Sequence, residues 1–291
     1  MRSLTPIHPE KETERIAKFI RSSFAKVNKN LAVIALSGGL DSATAFLLTV
    51  KALSPTKVLA YYLPAKNSDQ SNWHDVQELK QLAQLPTDNL RLIAIGAIIQ
   101  KAWRIIKHYS SQEGENKQAT QTSHLSKGTV NRKNLNAKIA EFNRLRLANI
   151  AARVRMMVLY DQAKKHDALV VGTENMSEHL LGYYTRFGDE ASDIEPIRHL
   201  FKTQVRQLAK FLGMPKEIMN KPPAAGLWPG QTDANELGFS YEEADPILYL
   251  YKGGKRVSEM VKAGYRKSVV EKVLHQVEAT KYKHEVPYLI R

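Results

Sequence analysis

The chain has 291 residues, 43% apolar and 25% charged, with 43 Lys and Arg against 29 Asp and Glu for a formal charge of +14. It contains no cysteine, which excludes disulfides, thiolate-bound zinc, iron–sulfur clusters and a cysteine nucleophile. No apolar run approaches the roughly 18–20 residues needed to cross a bilayer, and the first residues lack an apolar signal core, so a cytoplasmic protein without a membrane partner is expected.

In chain order, Ile16, Phe19, Ile20, Phe24 and Val27 recur at helical spacing and predict a helix over 10–28. Leu31–Leu36 is a short unbroken apolar run, the pattern of a buried strand. Ser37-Gly38-Gly39 is a turn, and a helix is predicted over 42–53. A second strand over 58–63 stops at Pro64, followed by a helix over 75–85, a third strand over 90–95 and a helix over 97–109. Ala168–Val171 reads as a fourth strand ended by Gly172, and Ile194–Ile197 as a short fifth. Strands alternating with helices imply right-handed crossovers, hence a single α/β domain with a parallel β-sheet flanked by helices on both faces. Ligands of such sheets bind beyond the carboxyl ends of the strands. The functional residues are therefore expected just after Leu36, Leu63 and Val171.

Residues 110–134 interrupt the alternation with a polar stretch that reads as a lid-like insertion. A long helix over 135–165 follows. Its Ile139, Phe142, Leu145, Ala148, Ala152, Met156, Leu159 and Ala163 form one stripe, with Arg153 pointing elsewhere. That stripe is longer than one small sheet needs, which suits a homodimer interface. Residues 213–238 are rich in Pro and Gly and predict an ordered irregular loop anchored by Leu227 and Trp228. Helices over 241–251 and 267–283 fill the C-terminal part, 241–291, and only one core is expected.

The charge is unevenly placed. Residues 101–165 hold 14 Lys and Arg against 4 Asp and Glu, and residues 251–291 hold 10 against 4. Such clustering points to an anionic partner, either nucleic acid or a phosphorylated small molecule. The nine histidines include no His-Glu-x-x-His pattern, so a zinc site is not expected.

The chemistry begins at Ser37-Gly38-Gly39-Leu40-Asp41-Ser42, with a strand before it and a helix after. Paired glycines let the backbone turn tightly beside a ligand. A helix N-terminus offers free N–H groups and a positive dipole end to phosphate, and Ser37 and Ser42 add hydroxyls. Asp41 would repel phosphate unless a divalent cation bridged them. No Gly-Lys-Ser/Thr follows, so this is not a Walker loop.

The hexapeptide resembles the pyrophosphate loop of ATP pyrophosphatases, which cleave ATP between its α- and β-phosphates. Further runs narrow the resemblance to the NAD synthetase family: Asn149-Ile150-Ala151-Ala152-Arg153-Val154-Arg155-Met156, Gly172-Thr173-Glu174-Asn175-Met176-Ser177-Glu178, Gly182-Tyr183-Tyr184-Thr185-Arg186-Phe187-Gly188-Asp189, Lys202-Thr203, Lys221-Pro222-Pro223, Gln231-Thr232-Asp233, Glu236-Leu237-Gly238 and Tyr241. The resemblance spans about residues 10–290 and is weak across 97–134. It implies an adenine nucleotide alpha-hydrolase-like fold. It also implies an ATP-dependent ligase that amidates deamido-NAD with ammonia through an acyl-adenylate, releasing AMP and pyrophosphate.

By the same resemblance Ser37, Gly38, Gly39, Asp41, Ser42, Thr173 and Lys202 would bind ATP, and Asp41 and Glu178 would hold magnesium. Arg153, Tyr183, Arg186 and Asp189 would meet deamido-NAD, with Asp189 positioning or deprotonating ammonium and Lys202 also catalytic. Glu190-Ala191, Ala224, Gly226, Ala234 and Tyr62 depart from the family's usual residues, Tyr62 and Ala224 near the expected ATP contacts and the others near the second substrate. Glutamine-dependent relatives use a cysteine nucleophile, so its absence leaves free ammonia or a separate glutaminase subunit as the nitrogen source. Two other readings stand beside this one. A tRNA-modifying ATP pyrophosphatase would suit the +14 charge, although small anionic substrates account for that charge and nucleic acid is not expected. A non-catalytic nucleotide-binding homologue is the second.

Overall fold

The structure is a computed structural model and describes residue 4 and residues 6–65, 70–112, 132–224, 226 and 230–284. The apolar runs become short strands because alternate residues can be buried on opposite faces. They are β1 (Leu31–Ala35), β2 (Val58–Tyr62), β3 (Leu90–Leu92) and β4 (Ala168–Val171). All pair in parallel, in the order β3-β2-β1-β4, with Ala32 opposite Val58 and Leu31 opposite Ala168. The crossovers are α2 (Leu40–Leu53), α3 (Gln70–Leu82) and the pair α4 (Gly96–Gln112) and α5 (Arg132–His166). The chain thus leaves β1 toward β2 on one side and returns as β4 on the other. Between β1 and β4 the order reverses, and there the carboxyl ends open a crevice.

The pleat divides the core. Ala32, Ile34, Val58 and Ala60 face α1 (Pro9–Lys26) and α2, where Ile16, Ile20, Phe24, Phe46 and Leu48 are buried. Val33, Leu59, Tyr61 and Val170 face α4 and α5 through Ile95, Ile99, Leu159 and Ala163. A third cluster departs from the single expected core. It joins α6 (Met176–Leu181) to α10 (Tyr241–Lys252), α11 (Val257–Lys262) and α12 (Lys267–Thr280) through Leu181, Tyr241, Leu248, Met260 and Val273. Between these lie α7 (Lys202–Phe211), α8 (Lys216–Asn220) and α9 (Asp233–Leu237), which sequence periodicity did not mark.

Three expectations change. Ile194–Ile197 does not form a fifth strand, since Ile194 makes one parallel bridge to Val171 and Pro196 has no N–H to extend a ladder. Instead Gly172 N–H donates to Ile194 O at 2.8 Å and Val170 N–H donates to Asp193 Oδ2 at 2.7 Å. In α5 the apolar stripe is covered only from Ala148 onward, where the helix lies on β1, β4 and α4. Ile139, Phe142 and Leu145 remain 42%, 59% and 45% exposed. The third helix begins at Gln70 and ends at Leu82, before a turn in which Gln84 takes a φ of +51°. Most of the expected lid over 110–134, as well as Leu227 and Trp228, lies outside the described residues.

Phe46, fully buried between α2 and the sheet, and Phe19, 44% exposed on α1, give a contrast. Phe46→Ala should cost about 3–5 kcal/mol in urea unfolding, and Phe19→Ala less than about 1 kcal/mol.

Candidate active site

The first loop is shaped from within. Gly38 has a φ of +78°, and a Cβ there would lie 3.1 Å from the Asn72 carbonyl oxygen. Only glycine combines that backbone with that approach. Gly39 is the N-cap of α2. The Ser37 and Ser42 hydroxyls are 2.9 Å apart, Gly39 N–H donates to Ser37 Oγ at 3.2 Å, and the Ser42 hydroxyl donates to Gly39 O at 3.0 Å. The turn is preorganised around the α2 N-terminus, where amide groups and dipole suit an anion.

The loop after β4 closes on it from the other side of the crevice. Asn175 caps α6 by accepting from Glu178 N–H at 3.0 Å, while its Nδ2 donates to Asp41 Oδ1 at 2.9 Å. One side chain thus starts a helix and ties the β1 and β4 loops together. Lys202 completes the junction, its Nζ donating to Asp41 Oδ2 at 2.5 Å and to Glu178 Oε1 at 2.8 Å. Burial disfavours the Lys202 ammonium, but Asp41, Glu178 and Asp233 outweigh it and raise the pKa. Burial likewise pushes Glu178 upward, against the pull of Lys202. The ammonium also lies 5.2 Å over the Tyr241 ring, a cation–π contact.

Lys202 is aimed from beneath by Asp245, a fully buried carboxylate on α10. Asp245 accepts from Thr203 N–H at 2.8 Å, Thr203 Oγ1 at 2.7 Å and Ser177 Oγ at 2.5 Å, and Ser177 Oγ accepts from Lys202 N–H at 2.9 Å. Tyr241 donates to Asp233 Oδ2 at 2.9 Å, leaving the buried Asp233 Oδ1 without a partner. Asn175, Asp233, Tyr241 and Asp245 carry no role in the sequence reading. The signal available for Asp245 was a charge on the apolar face of a helix, directly before Pro246.

A second group surrounds the turn at 182–189. Thr185 N–H donates to Asp189 Oδ1 at 3.0 Å, and Thr185 Oγ1 donates to Asn149 Oδ1 at 2.9 Å. Asp189 keeps solvent contact, yet the crowding protein raises its pKa by desolvation, against the Thr185 bonds and Arg155. Arg155 is the guanidinium that faces Asp189, with its Nε on Leu63 O at 3.3 Å. The resemblance placed Arg153 toward the dinucleotide, and Arg153 is exposed and donates to Arg186 O at 3.2 Å. Arg186 stacks between Phe187 and Tyr282, 5.2 and 5.8 Å from their ring centres. Tyr183 donates to Glu236 Oε2 at 2.6 Å, and Thr173 stands half-buried at the same carboxyl edge. Among the departures, Tyr62 stacks 5.3 Å from Trp73, and Ala224, Gly226 and Ala234 are exposed.

Behind this turn, Glu174 and Glu195 lie against each other, with Glu174 N–H donating to Glu195 Oε2 at 3.1 Å. Burial pushes both carboxyls up to about 8, and Arg198, 3.3 Å from Glu174, resists the shift.

The profile of the NAD synthase family matches residues 12–287. An NH(3)-dependent NAD(+) synthetase from Methanocaldococcus jannaschii is 42% identical over 253 residues, 87% of this chain and 85% of that one. Among solved structures, an NMN synthetase from Francisella tularensis superposes with a TM-score of 0.74 at 28% identity over 98% of this chain and 99% of that one. An NH3-dependent NAD synthetase from Campylobacter jejuni superposes with a TM-score of 0.71 at 26% identity over 98% and 100%.

Two measurements check this electrostatic arrangement. Lys202→Met should cost about 3–5 kcal/mol in thermal unfolding at neutral pH, because the buried Asp41 and Glu178 carboxyls lose their cation. Glu174, with a folded pKa raised to about 8 from 4.5, ionises less readily folded than unfolded. Its destabilising contribution therefore grows as pH rises through that window, so Glu174→Gln should gain stability relative to wild type between about pH 5 and pH 8.

Proposed function

This chain belongs to the NAD synthase family, and we propose how its residues divide the work of that family's reaction. The enzyme is a C–N bond-forming ligase that uses ATP and ammonia to convert deamido-NAD to NAD. One observation carries the assignment of the site. Asp41 and Glu178, from loops on either side of the strand-order reversal, converge on the single ammonium of Lys202.

Ser37, Gly38, Gly39 and Ser42 cradle the phosphates at the α2 N-terminus, and Thr173 contacts the adenylate. Oxygens that approach one ammonium from opposite sides enclose the space of a single cation, and hard carboxylate donors suit magnesium. Magnesium bound there would neutralise phosphate charge in the transition state. Lys202, released from one carboxylate, follows the leaving pyrophosphate and stabilises the charge it gains.

Tyr183 and Arg186 face deamido-NAD, and Arg153 braces the Arg186 backbone beside it. The nicotinate carboxylate displaces pyrophosphate to form the acyl-adenylate. Asp189 takes a proton from ammonium, a task its raised pKa favours. Free ammonia then attacks the acyl carbon, the C–N bond forms as the C–O bond to AMP breaks, and the nitrogen loses its surplus proton to water to give the amide. The exposed Ile105, Ile106, Tyr109, Phe142 and Leu145 on α4 and α5 support a homodimer through this face.

Incubation with magnesium, ATP, deamido-NAD and ammonium should yield NAD and AMP in equal amounts, more efficiently than the nicotinate mononucleotide offered in its place. AMP release that depends on tRNA would overturn the reading. Asp41→Asn should lower kcat/KM roughly 100- to 1,000-fold, and unchanged turnover would remove Asp41 from the metal site. Phe142→Glu should convert a dimer to a monomer in sedimentation velocity, and a wild-type monomer would refute the interface.

A further inference from the structure

α3 carries a second place where carboxylates crowd a lysine. His74, Asp75 and Glu78 stand at positions i, i+1 and i+4, so Glu78 lies between the other two on adjacent turns of one helix face. The other side of the helix belongs to the core, with Val76 and Leu79 fully buried. One imidazole nitrogen and one oxygen from each carboxylate all lie within 4.8 Å of one another. Among the described residues no other trio of such donors comes together this closely.

Two further observations point to a cation. Glu78 Oε2 is enclosed and has no hydrogen-bond partner among the described residues, a costly state for a carboxylate oxygen. Asp75 is 3% exposed and meets the Lys221 ammonium, which also donates to Asn72 Oδ1 at 2.7 Å. An ammonium therefore already sits against one member of the trio, as Lys202 does at the Asp41–Glu178 junction. The donors differ between the two places. An imidazole nitrogen beside two carboxylates suits a borderline transition ion such as zinc, whereas the all-oxygen pair of Asp41 and Glu178 suits magnesium. Zinc holds such donors at about 2.0–2.2 Å, so atoms across the ion stand about 4 Å apart, and side-chain rotation closes the remainder. The missing His-Glu-x-x-His run removes a two-histidine site and leaves this one open.

We propose that His74, Asp75 and Glu78 form a zinc site, separate from the magnesium site, at which the metal and Lys221 compete for Asp75. Zinc binding takes the carboxylate from the lysine. The consequence reaches both sides of the crevice. Asn72, which shares the Lys221 ammonium, lies against Gly38 of the phosphate loop. The segment that Lys221 leads is tied to Asp233, whose N–H donates to Pro223 O at 2.9 Å.

The test is calorimetric titration of the full chain with zinc chloride in saturating magnesium, a readout that needs no turnover. One zinc per chain should bind. His74 is exposed, so His74→Ala removes a donor without touching the core. His74→Ala and Glu78→Gln should each weaken zinc binding at least about tenfold, since losing even a group that only orients a metal ligand costs that much. Lys221→Met should tighten binding, because the competing ammonium is gone. Asp41→Asn should leave zinc affinity as in wild type, which separates this site from the magnesium site. The absence of zinc binding would overturn the proposal. So would an affinity that His74→Ala and Glu78→Gln leave unaltered, one that falls in Asp41→Asn instead, or one that does not tighten in Lys221→Met.

Discussion

Lys202 places one positive charge between carboxylates from two separate strand–helix crossovers. Asp41 arrives after β1 and Glu178 after β4. Without that cation the two acids would face each other across the crevice in a medium that screens charge poorly. Much of the surrounding architecture serves to keep the ammonium in place. Asp245 fixes the start of α7, Ser177 links Lys202 to Asp245, and Asn175 couples the Asp41 loop to the α6 N-terminus. The C-terminal helices, which form a hydrophobic cluster apart from the sheet, are therefore connected to the Lys202 junction through Asp245 and Tyr241. The same junction that stabilises the free protein outlines the space in which a metal ion and a pyrophosphate would compete for its charges.

The site divides into regions with different supports. The phosphate loop is braced by the sheet core and by its own serine hydroxyls, with glycine at the one position where Asn72 comes too close for a side chain. The 182–189 turn hangs between α5, through Arg153 and Asn149, and the C-terminal turn, through Lys283. The Ser37–Ser42 loop and the 182–189 turn thus have separate anchors.

The strands were legible because unbroken apolar runs have few other places to go, and Ser37–Ser42 was legible because its glycines and Asp41 form an uncommon local pattern. Less of the long-range geometry could be read. Lys202 and Asp41 are separated by 161 positions, and no local periodicity reports their meeting. Asp245 is held by Ser177 and Thr203, 68 and 42 positions away, which no local pattern around it reports. The stripe on α5 was seen correctly as apolar, but periodicity defines a face and not what covers it. The sheet accounts for Ala148 onward and leaves Phe142 and Leu145 uncovered. Ile194–Ile197 had the composition of a strand and was stopped by Pro196 and by the Asp193 carboxylate.

That substitution of a side chain for a strand has a consequence for the outer margin of the sheet. Among the described residues β4 is the last strand, and an exposed final strand is a template on which another chain can polymerise. Here the Val170 donor is already taken by Asp193 Oδ2, its carbonyl receives Asp193 and Ile194 N–H groups, and Gly172 N–H is bound to Ile194 O. A negatively charged group sits where an incoming backbone would need to dock. The margin is closed to an incoming strand by a single bridge and one aspartate, and the carboxyl-end crevice between β1 and β4 is left clear.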